Sequence, residues 1–91
     1  IPKKSIRYFY SDRLQVTCVT DTREITFYAR LDDVAESVGA SFVRIHQRYL
    51  VRAGAVDRVE GGTVVIGEDK LPVSRSYQAT ALAAIARAML E

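Results

Sequence analysis

Short segments in which apolar and polar residues alternate make up much of this sequence, and they limit the folds open to it. Residues 14–20 (LQVTCVT) show the alternation most clearly. The residues predicted to face inward there are Leu14, Val16 and Cys18. A period of two predicts a half-buried β-strand, because successive side chains of a strand point to opposite faces of its sheet. Residues 5–12 and 23–29 also favour strands, so we expect three strands, including a hairpin, to open the domain.

Two other segments repeat apolar residues at helical spacing. In residues 31–38, apolar side chains recur at positions i, i+3, i+4 and i+7, acidic side chains lie on the other side, and Gly39 follows. This pattern predicts a short amphipathic helix that ends at the glycine. A second helix is predicted from Ser74 or Ser76, as its N-terminal cap, to about Leu90. Its predicted buried stripe consists of Leu82, Ile85, Ala86 and Met89.

The segments between the two helices add further strands. Residues 55–60 and 63–73 favour strands around glycine-containing turns, and Pro72, which has no amide donor, predicts an edge position or the end of its strand. The 91 residues are 48% hydrophobic and 26% charged, which is typical of a globular domain with its own core. We therefore expect a single, mainly β domain of the α+β class spanning residues 1–91, with two helices.

The segment FVRIHQRYLVR, residues 42–52, places basic and polar side chains among large apolar ones. The apolar residues are sufficient to anchor the segment in a core. The polar side chains left to face outward are Arg44, Gln47, Arg48 and Arg52. Arg and Gln make bidentate contacts with guanine and adenine edges when a rigid backbone aims them. The segment therefore predicts either a base-reading surface or an arginine-rich face that is simply solvated.

Three further places combine polar side chains with turns or strand ends. Ser74, Arg75 and Ser76 lie where a strand is predicted to meet the last helix, and backbone amides there could receive a phosphate. The turn at residues 11–13 and the side chain of Lys70 could also contact a polyanion. A helix cap with a solvated arginine, an ordinary tight turn and an edge-strand lysine explain the same residues equally well.

Catalytic and metal sites find little support in the sequence. An enzyme using His46, with Cys18 as nucleophile, is one alternative, but the alternation around Cys18 points its thiol inward, where it acts as a small hydrophobic group. One His and one Cys are two ligands short of a structural zinc site. A structural His46 that hydrogen-bonds beneath the turn, or contacts a phosphate, agrees better with its surroundings. We predict no catalysis, no metal and no cofactor.

Two motifs in this order resemble the LytTR family, the DNA-binding domains usually found at the C-terminal end of bacterial response regulators. The first is a helix followed by Phe-x-Arg-x-His-x-x-Tyr-Leu-Val in residues 42–51, and the second is Leu-Pro-Val-Ser-Arg-x-Tyr in residues 71–77. The resemblance covers essentially the whole chain. It implies an elongated, LytTR-like β architecture whose loops and short helical turn enter successive major grooves on one face of DNA.

The resemblance also implies roles for individual residues. Base reading would fall on Arg13 in the first turn, on Gln47 and on Arg75. The phosphate contacts would be Arg44, Arg48, Ser74, Ser76 and Lys70. Family members commonly have Arg or Lys directly after the His, so Gln47 departs from the family pattern, and Gln favours adenine where Arg favours guanine.

These expectations describe a sequence-specific double-stranded DNA-binding output domain of a bacterial transcriptional regulator in a two-component system. The resemblance implies paired DNA sites and a receiver or other input domain before Ile1 in a longer protein. The single cysteine and the absence of an apolar run long enough to span a membrane favour a cytoplasmic protein. The competing prediction is a protein-interaction module in which Tyr8, Tyr10 and Tyr28 are exposed beside an arginine-rich rim.

Overall fold

Two antiparallel β-sheets and two helices form the fold, in a computed structural model that describes residues 1–90 of the chain. The elements in chain order are β1 (Ile6–Asp12), β2 (Gln15–Thr20), β3 (Glu24–Tyr28), α1 (Leu31–Val38), β4 (Phe42–His46), β5 (Tyr49–Arg52), β6 (Arg58–Glu60), β7 (Thr63–Ile66), β8 (Asp69–Pro72) and α2 (Gln78–Leu90). Single turns of 3₁₀ helix occur at Lys3–Ser5, Ala53–Ala55 and Arg75–Tyr77. The predicted fold class, mostly antiparallel strands with two helices, is therefore confirmed. The predicted elongation is wrong, since the molecule measures 31 × 26 × 24 Å along its principal axes.

The larger sheet has five strands in the order β3-β2-β1-β5-β4, and each neighbouring pair is antiparallel. Its first three strands are consecutive in the chain, as the alternation predicted. The segment FVRIHQRYLVR folds as a further hairpin, β4–β5, with a two-residue turn at Gln47–Arg48. Because β5 pairs with β1, this hairpin extends the sheet formed by the first three strands. The smaller sheet contains β6, β7 and β8 in that order.

The five-stranded sheet separates two hydrophobic clusters. On one face α1 supplies Leu31 and Val34 to a cluster that includes Phe9 of β1. The other face packs against the smaller sheet and α2, and its cluster includes Ile45 and Ile85. Each face therefore removes apolar surface from water, which stabilises the fold by roughly 25 cal/mol per Å². Because both faces of the sheet are packed, the strands that lead into the hairpin turns are held rigidly.

β2 is buried on both faces, which its alternating sequence did not indicate. Val16 and Cys18 belong to the cluster beneath α1, as predicted, but Val19 belongs to the opposite cluster and Thr17 is buried as well. The prediction that Leu14 faces inward is wrong, since its side chain is 69% exposed. Leu14 lies in the two-residue turn before β2, so the strand alternation does not extend to it.

α2 begins later than predicted. The 3₁₀ turn at Arg75–Tyr77 precedes it, so the helix starts at Gln78, and the prediction that Ser74 or Ser76 caps it is wrong. Ser74 precedes the 3₁₀ turn without a capping hydrogen bond from its side chain. The hydroxyls of Ser74 and Ser76 instead lie 3.4 Å from each other.

The buried face of α2 also differs from the prediction. Ile85 is buried as expected, but its buried partner is Ala81, whereas the predicted core residues Leu82, Ala86 and Met89 are exposed. The face that packs on the protein is completed by half-buried Ala84 and Ala88. Small side chains allow the helix axis to lie close to the body of the protein, so the larger residues are rotated toward solvent.

Several local predictions are confirmed. α1 spans Leu31–Val38 with Asp32 and Asp33 in its first turn, and Gly39 ends it with a φ of 84°. A positive φ is costly for residues with a Cβ, which explains a glycine at this position. Pro72 lies in β8, an edge strand. Within residues 1–90, neither helix is long and apolar enough to cross a membrane.

Candidate nucleic-acid interface

The β1–β2 turn at residues 13–14 and the β4–β5 turn at residues 47–48 project from the same end of the five-stranded sheet. β1 and β5 are antiparallel neighbours with Tyr10 opposite Tyr49, so the end of β1 lies beside the start of β5. The amide of Ser11 donates a hydrogen bond to the carbonyl oxygen of Arg48 (2.9 Å). The turn at residues 13–14 therefore lies next to the turn at residues 47–48.

A β-bulge connects the β4–β5 turn to the second sequence motif. Arg44 pairs with Leu50 and His46 with Tyr49, which leaves Ile45 as an extra residue in β4. The carbonyl oxygen of Ile45 accepts a hydrogen bond from the amide of Ser74 (2.9 Å). Bulges redirect neighbouring side chains, and this one brings two distant parts of the chain together.

A groove of about 200 Å³ lies between the two motifs. It is lined by His46, Gln47, Ser74, Ser76 and Tyr77. Residues 13–14, residues 47–48 and residues 74–77 thus form one continuous region, which we call the turn surface. The structure brings together most of the residues that the sequence singled out.

The side chains predicted to read bases are exposed on this surface. Arg13, Gln47 and Arg75 are all exposed, whereas Ile45 and Leu50, which flank the second turn, are almost fully buried. A backbone anchored in the core limits the directions that the polar tips can take. Direct readout of base edges requires such fixed directions. Arg48 and Ser76 are also exposed, and Ser74 is half-buried.

His46 has a structural environment within the turn. Its Nδ1 accepts a hydrogen bond from the amide of Arg48 (3.1 Å), and its ring lies edge-on to Tyr49 with centroids 5.6 Å apart. The imidazole therefore braces the two-residue turn between β4 and β5. This geometry agrees with the predicted structural role, and His46 also lines the groove of the turn surface.

Arg44, predicted to contact phosphate, is directed mainly into the protein. Its Nη1 donates to Asp32 Oδ1 of α1 (2.6 Å), and its side chain is only 19% exposed. The hydrogen bond and the positive charge of Arg44 lower the pKa of the Asp32 carboxyl. A phosphate would have to compete with this carboxylate for the guanidinium.

Lys70 lies outside the turn surface. It is exposed on β8 in the smaller sheet, where it pairs with Val65 and lines a separate groove of about 190 Å³ with Glu60 and Thr63. The structure therefore does not bring Lys70 together with the other predicted DNA contacts.

The tyrosines of the competing interaction surface do not share one exposed face. Tyr8 is buried, and its hydroxyl donates to Asp69 Oδ2 (3.0 Å), so its predicted exposure is wrong. Tyr10 is half-buried and packs near Tyr8 and Tyr49. Tyr28 is 81% exposed on the edge strand β3. Tyr8 cannot contribute to a protein-interaction surface, because β1 is covered on both sides.

The enzymatic alternative is also weakened by burial. Cys18 lies in the core beneath α1, and desolvation raises the pKa of its thiol, which disfavours the nucleophilic thiolate. His46 Nδ1 is engaged by the backbone of its own turn. Within residues 1–90, no group of three or more His, Cys, Asp and Glu side chains is arranged to hold a metal ion.

Tyr77 is a residue of the turn surface to which the sequence analysis gave no role. It lines the groove beside Gln47 and lies beneath the guanidinium of Arg44, whose central carbon is 5.9 Å from the ring centroid. Its position at the end of Leu-Pro-Val-Ser-Arg-x-Tyr was visible in the sequence. Its contact with Arg44, more than thirty residues away, was not.

Comparisons with known proteins agree with this architecture. A family model for the LytTr DNA-binding domain matches residues 1–86. Among solved structures, the chain is similar to the LytTr DNA-binding domain of a protein from Bacillus cereus described as a methyl-accepting/DNA response regulator. The two share 16% identity with a TM-score of 0.82, and the match covers 93% of this chain and 84% of the other. No curated protein matches the chain.

Proposed function

Because the chain belongs to the LytTR family of DNA-binding domains, we propose that it binds double-stranded DNA sequence-specifically, with the turn surface in the major groove. Gln47 and Arg75 read base edges, and Arg13 does so from the neighbouring turn. The phosphate contacts that fix the position of the domain come from Arg48, Ser74 and Ser76, with Lys70 as an outlying candidate. Phosphate contacts supply affinity, whereas base contacts supply discrimination.

One observation carries this proposal: the two sequence motifs line a single groove with exposed polar tips on both sides. Gln47 and Ser76 border the groove, and Arg75 lies on the exposed side of the same segment. An amide and a guanidinium on adjacent rigid segments are the groups that recognise adenine and guanine.

We further propose that residues 1–91 form one output domain of a longer bacterial response regulator that acts in the cytoplasm on paired DNA sites. The similar Bacillus cereus structure supports this context, since its protein is described as a response regulator. A receiver or other input domain would then control access to DNA. This domain itself performs no catalysis in the proposal.

Selection of bound duplexes from a random DNA pool tests the proposal directly. Wild-type domain should enrich one short sequence, and affinity for that sequence should fall steeply as salt rises from about 50 to 200 mM, because bound phosphates release counterions. Enrichment of no sequence would contradict sequence-specific recognition. Salt-independent capture would contradict the phosphate contacts.

Single variants then separate the roles of the Arg75 and Gln47 side chains. Arg75→Ala should reduce affinity for the selected sequence by ~1 to 3 kcal/mol and relax the preference at one base pair. Gln47→Ala should relax the preference at another. Arg87→Ala is the matched control, since Arg87 is an exposed cation of α2 that lines a different groove with Lys3 and Lys4. Equal losses on all sequences would demote Arg75 to a phosphate contact.

A further inference from the structure

Arg44 donates hydrogen bonds in three directions from one guanidinium group. Its Nε donates to the carbonyl oxygen of His46 (2.8 Å) and its Nη2 to the carbonyl oxygen of Gln47 (2.6 Å). Its Nη1 donates to Asp32 Oδ1 (2.6 Å). Three of the five N–H donors of the guanidinium are therefore engaged within the protein, one on each nitrogen.

The two carbonyl groups held by Arg44 belong to the peptide groups on either side of Gln47. Each peptide group is planar, so the two flanking planes determine φ and ψ of the residue between them. By holding both planes, the guanidinium restricts the direction in which the Gln47 side chain leaves the turn. A lysine at this position would carry the same charge, but its single nitrogen could not reach the same acceptors in a fixed plane.

The same side chain also reaches the second motif of the turn surface. Its guanidinium lies over the ring of Tyr77 at a distance typical of a cation–π contact. Asp32 holds it on another side, from the first turn of α1. Arg44 thus connects α1, the β4–β5 turn and the 3₁₀ turn at Arg75–Tyr77.

We propose that Arg44, anchored by Asp32, is a positioning residue that holds Gln47 in the orientation that reads a base, and that it makes no phosphate contact. This inference rests on the proposed function, because it assumes that Gln47 reads DNA. The group recognised through Gln47 is the edge of a base pair in the major groove, and glutamine matches the donor and acceptor of adenine there.

Two neighbouring acids provide the first test. Asp32 and Asp33 are both exposed in the first turn of α1, and Asp32 contacts Arg44 whereas Asp33 does not. Removing either carboxylate makes the domain more positive, which by itself favours binding to any DNA. Asp33→Ala should therefore bind every sequence as well as wild type or slightly better. Asp32→Ala should reduce by about tenfold the preference for the base pair read by Gln47.

Substitution of Arg44 itself provides the second test. Arg44→Lys keeps the charge, so the salt dependence should match wild type, while the preference at the Gln47 base pair should fall by about tenfold. In a Gln47→Ala background, Arg44→Lys should change that preference little further, because a residue that acts through Gln47 has nothing left to position. Affinity for the selected sequence separates the alternatives: a positioning role predicts that Arg44→Lys lowers it in the wild-type background and little in the Gln47→Ala background, whereas a purely structural role predicts an equal loss in both. Thermal unfolding of each variant checks that the fold persists.

The outcomes separate this inference from the proposed function. A wild-type domain without sequence preference would overturn the proposed function and this inference with it. A wild-type preference that both Asp32→Ala and Arg44→Lys retain would overturn the inference alone. The inference alone would also be overturned if Arg44→Ala lowered affinity equally on all sequences and reduced the salt dependence by about one counterion. Loss of a phosphate contact has both effects. Asp32→Ala alters an exposed side chain, so it remains informative if Arg44→Lys unfolds.

Discussion

At the scale of one residue, Arg13 combines an unfavourable backbone conformation with a proposed role in DNA binding. Among residues 1–90, it is the one non-glycine residue with a positive φ, at 61°. Side chains with a Cβ adopt this region at a cost of roughly 1 to 2 kcal/mol. Glycine would suit the turn better, so the arginine is unfavourable for the local backbone. Such strain is often found where a side chain has a function.

Replacement of Arg13 should therefore separate stability from DNA binding. We expect Arg13→Gly to leave the free energy of unfolding unchanged or raise it by up to ~1 kcal/mol, because relief of the strained φ exceeds the added chain entropy. The same variant should bind the selected DNA more weakly. Urea denaturation and DNA titration measure the two effects. A destabilised variant with full DNA affinity would contradict both parts.

Tyr8 provides a pH-dependent prediction at the same scale. Burial, followed by the hydrogen bond to Asp69, raises the pKa of its hydroxyl well above the ordinary value. The folded state thus holds the proton more tightly than the unfolded state. The stabilisation is complete below the ordinary tyrosine pKa of about 10 and is lost as pH rises through the higher folded value.

Tyr8→Phe should lower the free energy of unfolding near pH 8 by about 1 kcal/mol, since it removes one hydrogen bond between the two sheets. Between about pH 9 and 11, the free energy of unfolding should fall less for Tyr8→Phe than for wild type. Urea denaturation across this range measures both. Tyr28→Phe, at an exposed site, is the control and should follow wild type. An identical pH profile for both variants would show that Tyr8 does not titrate differently in the two states.

Lys70 is the predicted phosphate contact that lies apart from the others. If DNA extends from the turn surface over the smaller sheet, Lys70→Ala should weaken binding equally on all sequences and reduce the salt dependence by about one counterion. Arg48→Ala should do so in any case, because Arg48 lies in the turn itself. Titrations at several salt concentrations compare the two. An unchanged salt dependence would remove Lys70 from the interface.

At the scale of elements, α2 shows why helical periodicity alone did not identify the buried face. Its sequence is rich in alanine, so several faces are apolar enough to pack. The face with Ala81 and Ile85 is chosen because alanines allow close approach to the core. The β4–β5 hairpin shows a related effect, since its bulge at Ile45 depends on the partner strand and not on the residues of β4 by themselves.

The orientation of α2 leads to opposite expectations for two neighbouring large residues. Ile85→Ala should lower the free energy of unfolding by ~2 to 5 kcal/mol, because it leaves a cavity in the core. Leu82→Ala should cost less than about 1 kcal/mol, because Leu82 is 40% exposed and lies outside the core cluster. Urea denaturation gives both values. A larger loss for Leu82→Ala than for Ile85→Ala would indicate that the helix packs on its other face.

At the scale of the whole molecule, the central sheet divides the core into two parts. Val34 lies in the cluster beneath α1, and Ile85 lies in the cluster between the sheet, the smaller sheet and α2. Side chains on opposite faces of a sheet do not touch, so substitutions in the two clusters should act independently. The turn surface is supported from both clusters, through Leu50 on one face and Ile45 on the other.

The double variant Val34→Ala/Ile85→Val tests this independence. Its loss in free energy of unfolding should equal the sum of the two single losses to within about 0.5 kcal/mol. Denaturation of the two single variants and the double variant gives the coupling. As a comparison, Ile66 belongs to the same cluster as Ile85 and offers a pair within one cluster. Strong coupling between Val34 and Ile85 would show that the sheet transmits strain between its faces.

The sequence by itself determined the opening strands, α1 and the family, but not the β4–β5 hairpin or the start of α2. Alternation predicted the opening strands, the spacing of Leu31 to Val38 with Gly39 predicted α1, and the two motifs pointed to the LytTR fold. These features depend on residues that are close along the chain, where strand and helix geometry decide which side chains share a face. The exposed tips Gln47 and Arg75 followed from the same local patterns.

Only the tertiary structure decided which surfaces meet. Burial of Tyr8, exposure of Leu14, the alanine face of α2 and the separation of Lys70 from the turn surface all depend on how the two sheets pack. The contacts of Arg44 with Asp32 and Tyr77 join segments twelve and more than thirty residues away. No local pattern records such contacts, because their free energy arises from surfaces that become neighbours only when the whole core has formed.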